Sequence, residues 1–204
     1  MIYEVRTYRL KPGQVGELEK RIAEVLPYRD KFSRLAAFWH TELGPLNQVV
    51  HVWPYESLQQ RAEIRARVAK EESRWPPKVM DLIETMEAEI FLPAPFMGPL
   101  SDKRLGNIYE IRTYLYQPGS IPEVLARWAK AIPRRIELSP LVACWYSEIG
   151  DVNQFMHIWA YQDLAERDRI RAEALKLPHW PPGTREFLAK QSTKIVLSAE
   201  FSPL

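Results

Sequence analysis

The stretch Ile2-Tyr-Glu-Val-Arg-Thr-Tyr8 returns as Ile108-Tyr-Glu-Ile-Arg-Thr-Tyr114, and Pro12-Gly13 returns as Pro118-Gly119 at the same offset. The match runs on through the middle of the unit. Trp39, Glu42, Gly44, Asn47, Gln48, His51, Trp53 and Tyr55 map onto Trp145, Glu148, Gly150, Asn153, Gln154, His157, Trp159 and Tyr161. About 29 of the 66 positions from Ile2 to Arg67 recur unchanged, far above chance for a repeat of this length. After a one-residue deletion, Trp75-Pro76-Pro77 meets Trp180-Pro181-Pro182. The chain therefore reads as two copies of one unit, residues 1–96 and 108–204. They are joined by a linker at 97–107, part of a Pro- and Gly-containing stretch from Phe96 to Asn107 without helical or strand periodicity.

Within one unit the hydrophobic period alternates. Tyr3, Val5 and Thr7 against Glu4, Arg6 and Tyr8 is a period-two strand, closed by a Lys-Pro-Gly turn. Val15, Leu18, Ile22, Val25 and Leu26 step by three and four, which predicts a helix; the second copy keeps the stripe as Ile121, Val124, Trp128, Ala131 and Ile132. Leu35–Thr41 and Leu46–Trp53 read as a hairpin across a Glu-Leu-Gly-Pro turn, followed by a charged helix from Glu56 to Glu72. The Trp-Pro-Pro corner stops that helix, a short helical turn is expected around Val79, Leu82 and Ile83, and Glu87–Leu92 supplies the last strand. The order β-α-β-β-α-β is the ferredoxin-like plan, an α+β unit with both helices on one face of its sheet. Each sheet would have a bare second face, so two copies are expected to pack sheet to sheet as an intramolecular dimeric α/β barrel.

Composition excludes several classes of function. Lys+Arg 28 against Asp+Glu 26 gives a net charge of +2 with the signs interleaved, so the chain lacks the basic stripe that nucleic acid demands. The longest apolar runs, such as Leu141–Tyr146, fall far short of the roughly 20 residues of a membrane span. The opening residues are strand-like, and Cys144 is the only cysteine, so a cytoplasmic location is expected. Four histidines and one cysteine form no zinc pattern, no Gly-rich phosphate loop occurs, and no G-x-S-x-G is present; neither a metal nor a cofactor is expected.

Successive side chains of a strand point oppositely, which sorts the repeated residues into two sets. Gln48, Val50 and Val52, with Gln154, Met156 and Ile158, suit a helix-covered face. Asn47, Val49, His51 and Trp53, with Asn153, Phe155, His157 and Trp159, are then expected to face the shared interior. Strand one is expected to send Glu4, Arg6 and Tyr8, with Glu110, Arg112 and Tyr114, to the same place.

Trp39-His-Thr-Glu42 followed by Gly44, Asn47, His51, Trp53 and Tyr55 resembles the hallmark of the NIPSNAP family, and the opening Tyr-Glu-Xaa-Arg-Thr-Tyr is similar to that family's first strand. The resemblance covers nearly the whole chain, twice. It implies a dimeric α/β barrel, a superfamily that includes cofactor-independent monooxygenases, muconolactone isomerases and haem-binding enzymes. It thus implies a fold and a pocket without supplying a reaction. His40 is replaced by Tyr146 in the second copy, so the two halves are not chemically equivalent.

His51 and His157 are the histidines present in both copies. They read either as a general base or proton relay, or as core imidazoles bonded across the sheets. Tyr8 and Tyr114 are candidate donors to an anionic oxygen, or else large side chains closing the barrel. Trp39, Trp53, Trp145 and Trp159 are candidate walls for a planar ligand, or packing. Arg6 and Arg112 either bind a carboxylate or pair with Glu4 and Glu110. Asn47 and Asn153 either touch the ligand or satisfy turn backbone. The leading expectation is a small-molecule-binding barrel acting as a cofactor-independent monooxygenase or isomerase on a planar, partly apolar substrate. Its competitors are a protein-interaction scaffold and, more weakly, a haem-binding barrel. Sedimentation is expected to report either a monomer or a higher even homo-oligomer.

Overall fold

A computed structural model describes residues 1–204. The first unit runs β1 (Ile2–Leu10), α1 (Val15–Arg29), β2 (Ala37–Leu43), β3 (Gln48–Tyr55), α2 (Leu58–Glu71) and β4 (Ile83–Pro93). The second repeats it as β5 (Ile108–Tyr116), α3 (Ile121–Arg135), β6 (Leu141–Ile149), β7 (Gln154–Tyr161), α4 (Leu164–Ala174) and β8 (Leu188–Ser198). Both charged helices begin on a side-chain cap: Ser57 Oγ accepts from Gln60 N while Gln60 Oε1 accepts from Glu56 N, and in the second copy Asp163 Oδ1 accepts from Glu166 N while Glu166 Oε2 accepts from Gln162 N. The helical turn expected around Val79 and Leu82 is a single hydrogen-bonded turn, Leu82 N to Val79 O, and β4 starts four residues earlier than the sequence suggests.

The eight strands form one closed antiparallel barrel in the order β1-β3-β2-β8-β5-β7-β6-β4. Each half alone would leave β2 and β4 as unpaired edges. Here Trp39 lies opposite Ser198 and Thr41 opposite Val196, while Leu92 faces Tyr146 and Pro93 faces Trp145. The halves are therefore joined by backbone hydrogen bonds at two seams as well as by packing, and no edge remains open. The linker and the carboxyl terminus lie against one end of the barrel: Leu105 N donates to Tyr109 Oη, and Leu100, Leu105 and Leu204 pack on the interior cluster.

The two faces of the strands are the reverse of the sequence expectation. The interior holds the aliphatic set Val5, Val50, Val52, Ile111, Met156 and Ile158 together with Tyr3, Tyr109, Trp39 and Trp145. Val49 and Trp53 pack under α1 with Leu18, Ile22 and Leu26; Phe155 and Trp159 pack under α3 with Val124, Trp128 and Ile132. The middle of an eight-stranded barrel is just wide enough for side chains to fill it, and aliphatic and aromatic groups fill it here, whereas a helix layer bridged by long Arg and Trp side chains can stand off the sheet and leave polar space.

Candidate functional site

Because β1 and β3 pair in register, Arg6 lies opposite His51 and Glu4 opposite Trp53; Arg112 lies opposite His157 and Glu110 opposite Trp159. The polar and aromatic set identified from the repeat therefore converges, but between sheet and helices in each half. A cavity of about 650 Å³ occupies this place in the second half, and one of about 340 Å³ in the first. Glu110, Arg112, Tyr114, His157 and Trp159 line the larger; Glu4, Arg6, Tyr8, His51 and Trp53 line the smaller. The difference follows from substitutions between the copies. Val68, Met80 and Met86 in the first lining give way to Ala174, Arg185 and Gln191 in the second.

The imidazoles are held the same way in both. Trp159 Nε1 donates to His157 Nδ1 at 2.7 Å, and Trp53 Nε1 to His51 Nδ1 at 2.7 Å. An indole nitrogen only donates, so each Nδ1 is unprotonated and the proton sits on Nε2. Burial, reinforced by Arg6, pushes His51 down to about 3; burial, reinforced by Arg112 and Arg135, pushes His157 well below the usual imidazole range. Both rings are therefore neutral at physiological pH, and both Nε2 atoms are buried without a partner. A histidine in this state donates a hydrogen bond.

The same donor set does not suit haem. An imidazole bound to iron offers the lone pair of Nε2 and hands its Nδ1–H to an acceptor. Here Nδ1 faces a donor, and Nε2 carries the proton.

Charge around the site is closely paired. Glu110 is 0% exposed and takes Arg167 at 2.6 Å, Arg112 at 3.0 Å and Arg171 at 3.5 Å, all on Oε1, while Oε2 is buried without a partner. Burial raises the Glu110 carboxyl, but the hydrogen bond from Arg167 and the charge of Arg112 outweigh it and hold the group below the usual range. Arg112 Nε also donates to Tyr114 Oη at 2.9 Å, so that phenol is an anchored group. Arg6 likewise bridges Glu4 at 2.8 Å and Tyr8 at 2.7 Å.

Other sequence candidates lie elsewhere. Trp39 and Trp145 are inside the barrel, with Trp145 stacked on Tyr3 at 4.5 Å, and neither lines the sheet–helix cavities. Asn47 and Asn153 are in the left-handed backbone region at φ 54° and 62° in the hairpin turns, where Asn47 Oδ1 accepts from Gly13 N and its carbonyl from Leu10 N. His40, which breaks the repeat against Tyr146, bonds Glu19 at 2.7 Å, away from either cavity.

Sequence reasoning missed Arg29 and Arg135. Each is buried near the end of its helix: Arg135 lies 3.9 Å over the Trp159 ring and donates to Tyr161 Oη, and Arg29 lies 4.6 Å over Trp53 and donates to Tyr55 Oη. Their identity at equivalent positions was the available signal. Trp75 and Trp180 complete the walls, edge-on to Trp53 and Trp159 at 5.9 Å.

The NIPSNAP family model matches residues 3–97 and again 109–203. Among named relatives, the NipSnap homolog of Dictyostelium discoideum is 31% identical over 183 residues, covering 88% of this chain and 78% of its own. Human NipSnap homolog 2 is 29% identical over 213 residues, covering all of this chain and 74% of its own. Among solved structures, a putative monooxygenase from Lactobacillus acidophilus superposes with a TM-score of 0.66 over 98% of this chain and 97% of that one, at 11% identity, a likeness of fold.

Proposed function

The chain belongs to the NIPSNAP family, and from that premise we propose that its second-half cavity binds a planar, partly apolar small molecule bearing a carbonyl or phenolic oxygen. The observation that carries this reading is a 650 Å³ cavity walled by Trp128, Trp159 and Trp180 and lined by His157, whose buried Nε2–H has no partner. A buried donor without a partner costs roughly 1–3 kcal/mol, a cost that a ligand oxygen relieves. Glu110 also lines the cavity, and its Oε2 is buried without a partner. Arg135 and Arg171 add positive charge on the same lining, which favours an anionic form of that ligand.

The reaction this arrangement suits is oxygen insertion or isomerisation through an enolate-like or phenolate anion, with His157 as a donor that stabilises the developing charge. The base role expected from the sequence would need a free lone pair on Nε2, so we assign His157 to polarisation. In the first half, His51 holds the same relation to a smaller cavity. Thermal shift with a panel of phenolic and quinone-like compounds tests the pocket: hits that raise the melting temperature and are lost in His157→Gln support it. A flat response across the panel refutes it, and so does a ligand response unchanged in both His51→Gln and His157→Gln; the latter would favour a scaffold whose histidines only stabilise the fold.

A further inference from the structure

The open mouth of the barrel holds a second group without an assigned use. On the strands that line it, Val5, Thr7, Val50, Ile111 and Thr113 face a cavity of about 480 Å³, separate from the sheet–helix cavities and at the end away from the linker. Lys194 projects into this cavity from β8. Its Nζ donates to Gln48 Oε1 at 3.2 Å and makes no ion pair with a carboxylate. The charged groups that share the cavity are Glu87 and Glu89 of β4, Asp151 of the β6–β7 turn, and Lys190 of β8 itself.

The other copy carries no lysine at this position. Val196 pairs with Tyr109 as Phe91 pairs with Tyr3, so the counterpart of Lys194 is Glu89, on the strand directly across the barrel. Glu89 bonds Gln154 at 2.6 Å as Lys194 bonds Gln48, so one glutamine-anchored frame carries an acid on one side and an amine on the other. Gly44 makes room for it: a Cβ there would lie 3.1 Å from the Lys194 Cβ, at a backbone φ of +115°.

We propose that Lys194 is a reactive amine that captures small aldehydes or ketones in the barrel mouth as an imine, independently of the sheet–helix ligand site. The nitrogen lone pair attacks the carbonyl carbon, a C–N bond forms, and the carbonyl oxygen leaves as water with the two protons of the amine. No oxidant or reductant is involved. Burial, opposed by Glu87 and Glu89, lowers the Lys194 ammonium to about 8, so at pH 7 about a tenth of it is the unprotonated nucleophile, far more than an exposed lysine presents.

The test uses the whole 204-residue chain with benzaldehyde and sodium cyanoborohydride, which reduces the imine to a stable benzylamine, followed by peptide mapping. At pH 7 Lys194 is expected to label at least about tenfold faster than any exposed lysine, with a rate that levels off above pH 8 while the others keep climbing. Lys194→Arg, which keeps the charge, is expected to abolish the fast phase with an unchanged circular dichroism spectrum. Labelling that begins at surface lysines, or a fast phase that survives in Lys194→Arg, overturns the proposal. The wild-type pH profile decides the question even if the variant folds poorly.

Discussion

Replacing Trp159 with Phe removes one hydrogen-bond donor and part of a ring from a fully enclosed position, and the structure sets the cost. The indole donates to His157 Nδ1 at 2.7 Å, and with Phe that buried acceptor is left alone, costing about 1–3 kcal/mol. The Arg135 guanidinium, 3.9 Å above the ring, loses its better aromatic partner, worth about 0.5–1 kcal/mol more. With the smaller ring underfilling the site, we expect a total loss near 3 kcal/mol, measured by urea unfolding followed by circular dichroism. The diagnostic quantity is the cycle with His157→Phe. Each single substitution strands one partner and the double strands neither, so the coupling should be about 1–2 kcal/mol. Additive effects within about 0.5 kcal/mol would refute the Trp–His pairing. Nitrogen-15 shifts reporting a proton on Nδ1 would refute the tautomer, and with it the role given to His157.

Three further outcomes follow from the same geometry. The folded-state values of His51 and His157 lie below the unfolded value, so the unfolded chain takes up protons first: stability is intact above about pH 6.5 and declines as pH falls, by up to roughly 1.4 kcal/mol per pH unit for each ring. Glu4, which burial raises but Arg61 and Arg6 lower further, adds its own loss only below about pH 4.5. A urea midpoint that stays constant between pH 7 and 5 would contradict the neutral imidazoles. Trp145→Ala should cost about 3–5 kcal/mol, since that ring fills the barrel against Tyr3, yet leave ligand responses of the sheet–helix cavity intact; loss of those responses in a still-folded variant would place Trp145 in the site. Residues 1–97 expressed alone should sediment as a dimer, because β2 and β4 lose the backbone partners they find in β8 and β6; a stable monomer would show that the seams are dispensable.

Much of this protein is legible along the chain. The doubled Ile-Tyr-Glu-Xaa-Arg-Thr-Tyr segment and the strides of Val15 to Leu26 are local signals, and each sets an element by periodicity within a few residues. The repeat also picked out Glu110, Arg112, Tyr114, His157 and Trp159 as one group, because residues alternating on paired strands must share a face. Which way that face turns is not local information. A period of two separates Val50 and Val52 from His51 and Trp53 but is indifferent to inside and outside, and the choice is made only when the eight strands close, with Val50 and Val52 in the bore and His51 and Trp53 under the helices. The same holds for Arg135 over Trp159 and for Lys194 across from Glu89. These meetings bring together residues far apart in sequence, and only ring closure of the eight strands and the docking of helices on them brings the groups within reach.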